Sequence, residues 1–160
     1  MNIRKLEKND FFKGYLELLY NLSPNYTENG LTYNKFKKYL KNIEKYNQYH
    51  YVIDNISNSH SINDMISKYI IGIGSLHILH KFSHNLGKVG QIEDIIIHKD
   101  YRINGYGKML VNYLITVAKE KGCYKVILNC KEENKGFYER LGFSNKNNYQ
   151  MSLYFDKNDN

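Results

Sequence analysis

The stretch from Gly90 to Gly122 constrains the fold more than any other. It reads GQIEDIIIHKDYRINGYGKMLVNYLITVAKEKG. Gly90 to His98 is rich in isoleucine and reads as a strand. Beyond the glycine loop the period changes: Met109, Leu110, Tyr113, Leu114, Val117 and Ala118 fall at helical spacing. The pattern predicts a helix from about Gly105 to Lys121, with Gly122 ending it in a left-handed conformation. The next apolar segment, Tyr124 to Cys130, is a strand. Strand, helix and strand in this order form a βαβ unit, which requires two parallel strands.

The segments before this unit alternate with short loops and predict antiparallel pairing. Strands are expected over Asn2–Leu6, Tyr49–Asp54 and Lys68–Phe82, with Gly72 and Gly74 marking a bend or close packing. Two helices lie between the first two strands. One carries Phe12, Tyr15, Leu16 and Leu19 on one face, with Asn9 or Asp10 as its cap. The other begins at Thr32 and carries Phe36, Tyr39, Leu40 and Ile43. Asn55 to Met65 is polar and reads as a loop, and His84 to Gly87 turns the chain. Glu133 to Phe143 predicts a short helix ending at Gly142, and Tyr149 to Phe155 a closing strand. The whole is an α+β chain in three layers: a mixed, mostly antiparallel sheet flanked by helices, in one domain over residues 1–160.

Composition narrows the function. No run of 18 apolar residues and no signal-peptide pattern occurs, so a cytoplasmic protein without a membrane span is expected. Cys123 and Cys130 are read as free, buried thiols rather than a disulfide framework. The formal charge of +7 attracts phosphates. The basic residues are spread along the chain, however, and form no nucleic-acid arm. A small phosphorylated ligand therefore fits better than nucleic acid.

The loop YRINGYGKML (Tyr101–Leu110) is the candidate phosphate site. It is not a P-loop, because Met109 stands where a magnesium-binding hydroxyl belongs and Arg102 stands where the first glycine belongs. It is not a dinucleotide fingerprint, because Leu110 replaces the third glycine. What remains is Arg102-x-x-Gly105-x-Gly107 between a strand and a helix. Its amides converge at the positive end of the helix and suit a pyrophosphate held without metal. The amides expected to wrap it are those of Ile103, Asn104, Gly105, Tyr106, Gly107 and Lys108, with the Lys108 charge beside them. His77, His80 and His84 have no metal-ligand spacing, and no metal is expected.

These residues resemble the GNAT N-acetyltransferase superfamily, whose acetyl-CoA motif is R/Q-x-x-G-x-G/A after a strand. The IED of residues 92–94, GCYK of residues 122–125 and N-x-x-FYE-x-x-GF of residues 134–143 are similar to the glucosamine-6-phosphate N-acetyltransferase family within it. The similarity is close over Gly72–Phe143, and the N-terminal third shares only the order of elements. It implies acetyl transfer from acetyl-CoA to an amino-sugar phosphate, toward UDP-N-acetylglucosamine, in a homodimer. It also implies roles. The backbone of Ile95, Ile96 and Ile97 would hold the pantetheine arm, Asn134 would cap its helix or bind CoA, and Tyr138 would hand a proton to the leaving thiolate. Lys81, Phe82, Ser83 and His84 would form a substrate loop. Glu93 and Asp94 would contact the sugar hydroxyls and amine. Adjacent strand residues point to opposite faces, so both reach one ligand only if the strand bulges. The route of the amine proton, through a carboxylate, a backbone carbonyl or a water, stays open.

Two positions depart from the family pattern. Asn129 stands where relatives have an acid, and Tyr154 stands where some place an arginine for the phosphate. Both weigh on the acceptor rather than on the donor. A GNAT enzyme acting on a protein N-terminus, a lysine or a polyamine is the alternative, and a non-catalytic acyl-CoA-binding module is a third reading.

Overall fold

Four strands pair antiparallel in chain order: β1 (Asn2–Lys5), β2 (Gln48–Asn55), β3 (Tyr69–His80) and β4 (Lys88–Ile97). A fifth, β5 (Cys123–Leu128), adds parallel to β4, giving the sheet order β1-β2-β3-β4-β5. The computed structural model describes residues 2–22, 30–55, 69–145 and 150–153. Residues 1–128 and residues 129–160 form two compact units. The first holds the whole five-stranded sheet.

Helices α1 (Tyr15–Leu22) and α2 (Tyr33–Leu40) precede β2. Thr32 caps α2 as its position predicts, its hydroxyl accepting from the Lys35 N–H at 3.3 Å. Tyr15, Leu18 and Phe36 pack with Val52, Ile73 and Ile96 to form the core on one face of the sheet. The opposite face is covered by α4 (Tyr106–Glu120), whose Leu110, Val111, Leu114, Val117 and Ala118 are buried. Glycines in the strands admit this helix closely: a Cβ at Gly90 would stand 3.1 Å from Cβ of Ala118. One at Gly74 would stand 2.7 Å from Cδ1 of Ile95 and 3.1 Å from Leu110. Gly122 follows α4 with φ +78, the left-handed end that its position predicts.

Two expectations change, on the Asp10 cap and on the thiols, while the expected turn at His84–Gly87 is present in an unexpected conformation. Asp10 does not cap α1. Glu7 caps a 3-10 turn at Lys8–Phe12, and Asp10 is fully buried in a two-pronged ion pair with Arg4 at 2.7 and 2.8 Å. Arg4 also holds Asp54 on β2 at 2.6 and 2.8 Å. The turn at His84–Gly87 is α3 (Ser83–Leu86), a single turn with His84, Asn85 and Leu86 all at positive φ. The thiols are not buried: Cys130 is exposed and Cys123 half-buried. The expected loop at Asn55–Met65 lies, apart from Asn55, outside the described residues. Of the expected closing strand only residues 150–153 are described, and these carry no strand.

The second unit begins beyond β5. A 3-10 turn at Glu132–Asn134 leads into α5 (Lys135–Glu139), and Gly142 follows at φ +91.

Candidate active site

The pairing of β3 with β4 breaks at one point. Ser75 faces Glu93 and Ile73 faces Ile96, so Gly74 alone stands opposite both Asp94 and Ile95. This is a β-bulge, and it bends the strand and re-aims its side chains. Asp94 takes φ +56, a left-handed conformation that short polar residues tolerate best. Alternation would send Glu93 and Asp94 to opposite faces, and the bulge removes that alternation. Asp94 opens on the α1/α2 side, where Ser75 also points. The Ser75 hydroxyl donates to the Glu93 carbonyl at 3.2 Å, and the Gln91 amide donates to the Glu93 carboxylate.

Asp94 is one wall of a cavity of about 720 Å³. The other walls come from α1, α2 and β2, including Tyr15, Phe36, Lys35, Lys38, Tyr39 and His50. Asp94 is exposed toward this cavity, while neighbouring protein partly desolvates its carboxyl. Burial therefore pushes its pKa above the usual carboxylate range, and the Glu93 charge adds to the shift. His77 and a hydrogen bond from Ser75 act in the opposite sense. His50 lies beside His77, with ring centroids 6.2 Å apart. Its pKa is pushed down to about 4, by burial first and by His77 second, so it is neutral at pH 7. Its Nε2 is buried without a hydrogen-bond partner. His50, Ser75, Lys35 and Lys38 were not expected at the site. Only the register places His50 opposite Ser75 and Ser75 opposite Glu93, across three strands.

The far edge of β4 is open beyond Ile92. The pairing with β5 runs from Lys88↔Cys123 to Ile92↔Leu128 and stops there. Strand N–H and C=O groups alternate in direction. His98 donates to the Ile71 carbonyl on β3 at 2.8 Å, so Ile96 also faces β3, while Ile95 and Ile97 face the open edge. The Ile97 carbonyl accepts from Arg102 Nε at 3.1 Å on that side. The structure thus narrows the expected pantetheine edge to Ile95 and Ile97. Ile96 is 6% exposed and belongs to the core.

The glycine loop sits where that edge ends. A 3-10 turn at Lys99–Tyr101 leads into Arg102, and Ile103 and Gly105 take φ +35 and +79. Gly105 is the N-cap of α4, with no side chain capping the helix. The Met109 N–H closes the first turn on the Gly105 carbonyl at 3.0 Å, so the Tyr106, Gly107 and Lys108 amides begin the helix. The Asn104 N–H donates to the Arg102 carbonyl within the loop. Ile103 is fully exposed. An uncapped helix start with exposed flanking residues fits a pyrophosphate.

The expected sugar loop lies elsewhere in the unit. Lys81 follows the end of β3, and its N–H closes the hairpin on the Gly87 carbonyl at 2.9 Å. Seven residues separate it from Gly74, roughly 23 Å along an extended strand. Lys81, Phe82, Ser83 and His84 are therefore not brought to Asp94 within one copy of the chain. Phe82 is 97% exposed, and His84 stacks near Tyr124 with centroids 4.5 Å apart.

Asn129, Asn134 and Tyr138 belong to the second unit. Asn134 takes the N-cap position of α5, but its side chain makes no capping bond. Tyr138 lies between Phe137 and Phe143, at centroid distances of 4.9 and 5.9 Å. Its carbonyl accepts from Leu141 and Phe143, which fixes the turn after α5. Asn129 is exposed. Tyr154 lies outside the described residues.

Known proteins match this arrangement along nearly the whole chain. A glucosamine 6-phosphate N-acetyltransferase of Arabidopsis thaliana is 40% identical over 154 residues, covering 96% of each chain. One of Dictyostelium discoideum is 36% identical over 96% of this chain and 90% of its own. The crystal structure of the Arabidopsis thaliana enzyme superposes with a TM-score of 0.84 at 39% identity, covering 97% of this chain and 98% of that one. A Trypanosoma brucei acetyltransferase superposes at 0.80 with 32% identity, over 96% and 99%. The acetyltransferase (GNAT) family matches residues 13–143. The chain is a member of the acetyltransferase (GNAT) family.

Proposed function

We propose that this enzyme transfers the acetyl group of acetyl-CoA to the amine of D-glucosamine 6-phosphate, giving N-acetyl-D-glucosamine 6-phosphate and CoA. The observation that carries this reading is the bulge at Asp94. It brings a carboxylate to a cavity at the point where β4 presents an open edge. The likeness to glucosamine 6-phosphate N-acetyltransferases over 96% of the chain supports the same acceptor.

The thioester supplies the activated acetyl group. In this reading the amides at the start of α4, with Lys108 and Arg102, hold the pyrophosphate, and the open groups of Ile95 and Ile97 align the pantetheine arm as an added strand. A β4 N–H facing that edge stabilises the oxyanion of the tetrahedral intermediate, a donor whose loss costs about 2.7–4 kcal/mol. Asp94 and Glu93 orient the amine and the sugar hydroxyls. The raised pKa of Asp94 makes it a better proton acceptor than an ordinary carboxylate. Tyr138 is assigned the proton for the leaving thiolate on its motif, and Asn134 a contact to CoA. Asn129 and Tyr154 are assigned to the sugar side. We read residues 1–160 as one catalytic domain, a reading that the family match over residues 13–143 supports. We place the enzyme in the cytoplasm, on the route to UDP-N-acetylglucosamine, as a homodimer. The exposed hairpin end at Phe82 and Leu86 supports a second copy.

Thiol release from acetyl-CoA, followed over a panel of amines, tests the reading. Glucosamine 6-phosphate should give the highest kcat/KM. Turnover of a peptide N-terminus, a lysine or a polyamine in its place assigns a different acceptor, and binding without turnover on any amine removes the enzymatic reading. Tyr138→Phe should lower kcat at least about 100-fold with acetyl-CoA affinity nearly intact. A collapse of affinity instead would show that Tyr138 binds CoA rather than serving the leaving group.

A further inference from the structure

The glycine loop has few contacts of its own. Arg102, Ile103, Asn104 and Gly105 are exposed, and a Cβ at Gly105 would meet nothing within 4 Å. Little packing among the described residues therefore fixes its amides, and its geometry is set at its two ends. One end is the first turn of α4. The other is the 3-10 turn at Lys99–Tyr101, where the Lys99 carbonyl accepts from the Arg102 N–H at 3.3 Å.

His98 holds this second end. Its Nδ1 accepts from the Asp100 N–H at 3.4 Å and so caps the turn. A ring nitrogen that accepts carries no proton, so the proton of the neutral imidazole sits on Nε2. Nε2 lies 3.8 Å from Oε1 of Glu17 on α1, and the His98 side chain is only 13% exposed. The Tyr69 hydroxyl of β3 donates to the same Glu17 carboxylate. The Asp100 carboxylate, 3.7 Å from Nδ1, is the second acid beside the ring. The Tyr69 and Tyr101 rings stand edge-on to the imidazole, with centroids 6.3 and 5.8 Å away. Asn55 of β2 donates to the Tyr101 hydroxyl at 2.9 Å. Residues of α1, β2 and β3 thus converge on the turn, with one imidazole at the centre.

We propose that His98 is a positioning residue for the donor: it locks the turn that delivers Arg102 and the loop amides, and Glu17 orients its ring. This rests on the loop holding the pyrophosphate of acetyl-CoA. A loop already held in its bound shape loses less freedom when the anion arrives, so the lock is expressed as affinity for the pyrophosphate part of the donor. In the same reading the thioester lies at the far end of the pantetheine arm. The rate at saturating donor is then independent of the lock.

The test compares kcat/KM for acetyl-CoA and for acetyl-pantetheine, a thioester without the pyrophosphate, in the full-length protein with one amine that the wild type acetylates. His98→Ala should lower the acetyl-CoA value about five-fold, the usual scale of one capping bond. The acetyl-pantetheine value and kcat at saturating acetyl-CoA should stay unchanged. His98→Asn keeps a short acceptor for the Asp100 N–H and should bring the ratio of the two donors back to within about two-fold of the wild type. Glu17→Gln should lower the ratio less than His98→Ala does, and should have no further effect in the His98→Ala background, because it acts only through the ring. Thermal unfolding of each variant checks that the fold is kept. Should His98→Ala not fold, an unchanged ratio in Glu17→Gln overturns the proposal. Equal losses on both donors would mean that His98 serves the fold at large, and the proposal fails. If His98→Asn does not rescue and Asp100→Asn is as damaging as His98→Ala, a charged imidazole bridges two carboxylates instead of capping the turn, and the proposal also fails. If the wild type does not discriminate between acetyl-CoA and acetyl-pantetheine, the loop does not hold the pyrophosphate. That reading then falls, and the positioning role falls with it.

Discussion

At the scale of the residue, the proposed chemistry rests most heavily on Asp94. Its backbone is left-handed, its carboxyl is partly desolvated although the residue is exposed, and Glu93 adds a like charge. Such a group trades stability for function. An acid with a raised folded-state pKa favours the protonated folded form. Its stabilising contribution is therefore present at low pH and lost as pH rises from the ordinary carboxylate pKa through the raised one. Asp94→Asn removes the charge and keeps a side chain that tolerates positive φ. The variant should melt at a higher temperature than the wild type at pH 7. The gain should shrink as pH falls below the ordinary carboxylate range, where the wild type is protonated in both states. Its kcat/KM should drop at least about 100-fold, the usual scale for a proton-handling group. A melting temperature below that of the wild type at pH 7 would mean that the carboxylate is stabilising, contrary to the direction of its pKa.

The same residue shows what the sequence could and could not reveal. The pair Glu93-Asp94 was legible as a candidate, and so was the condition that a bulge must unite its side chains. The bulge itself was not, because it depends on Gly74 across the strand pair. His50 and Ser75 were missed for a related reason: they lie 25 residues apart in the chain and meet only through the register. The left-handed run at His84–Leu86 was illegible because histidine and leucine rarely adopt positive φ.

At the scale of elements, the βαβ unit was readable almost to the residue, since one amphipathic stripe and Gly122 define α4. Before β2 the strands and helices were legible too, Thr32 as the cap of α2 included, but the 3-10 turn at Lys8–Phe12 was not, and Asp10 explains why. A lone acid before an apolar run looks like a helix cap, whereas here it is turned back onto Arg4, which also reaches the distant Asp54. Arg4 on β1 holds Asp10 of the 3-10 turn and Asp54 of β2, and the two carboxylates raise the guanidinium pKa against the cost of its burial. Removing one partner of a buried ion pair costs about 3–5 kcal/mol, because the others stay buried and uncompensated. Arg4→Met should therefore lower the unfolding free energy by about 3 kcal/mol, read from the urea midpoint at constant slope. Adding Asp10→Asn and Asp54→Asn to that background should restore part of it. A loss under about 1 kcal/mol would mean that water takes over from Arg4, which the full burial of Asp10 argues against.

At the scale of the whole molecule, the charge of +7 acts on encounter rather than on fold. The proposed donor is a polyanion, and around the loop meant to hold its pyrophosphate Lys99, Arg102 and Lys108 outnumber the single Asp100. Long-range attraction raises association rates and is screened within about 10 Å at 0.1 M salt. The association rate constant for CoA, measured by stopped flow, should therefore fall at least about three-fold between ~0.01 and ~0.3 M salt. The distribution of the charge separates two origins for this slope. If the field of the whole chain steers the ligand, Lys8→Glu with Lys45→Glu, both remote from the loop in sequence, should flatten it about as much as Lys108→Glu. If the loop alone steers, only Lys108→Glu should do so, and it should also raise the dissociation rate, because the proposed site sets that ammonium beside the pyrophosphate. A rate independent of salt in the wild type would remove steering altogether. The spread of lysines would then bear on solubility, and the loop would hold its ligand through backbone amides, whose partial charges at the start of α4 act only at short range.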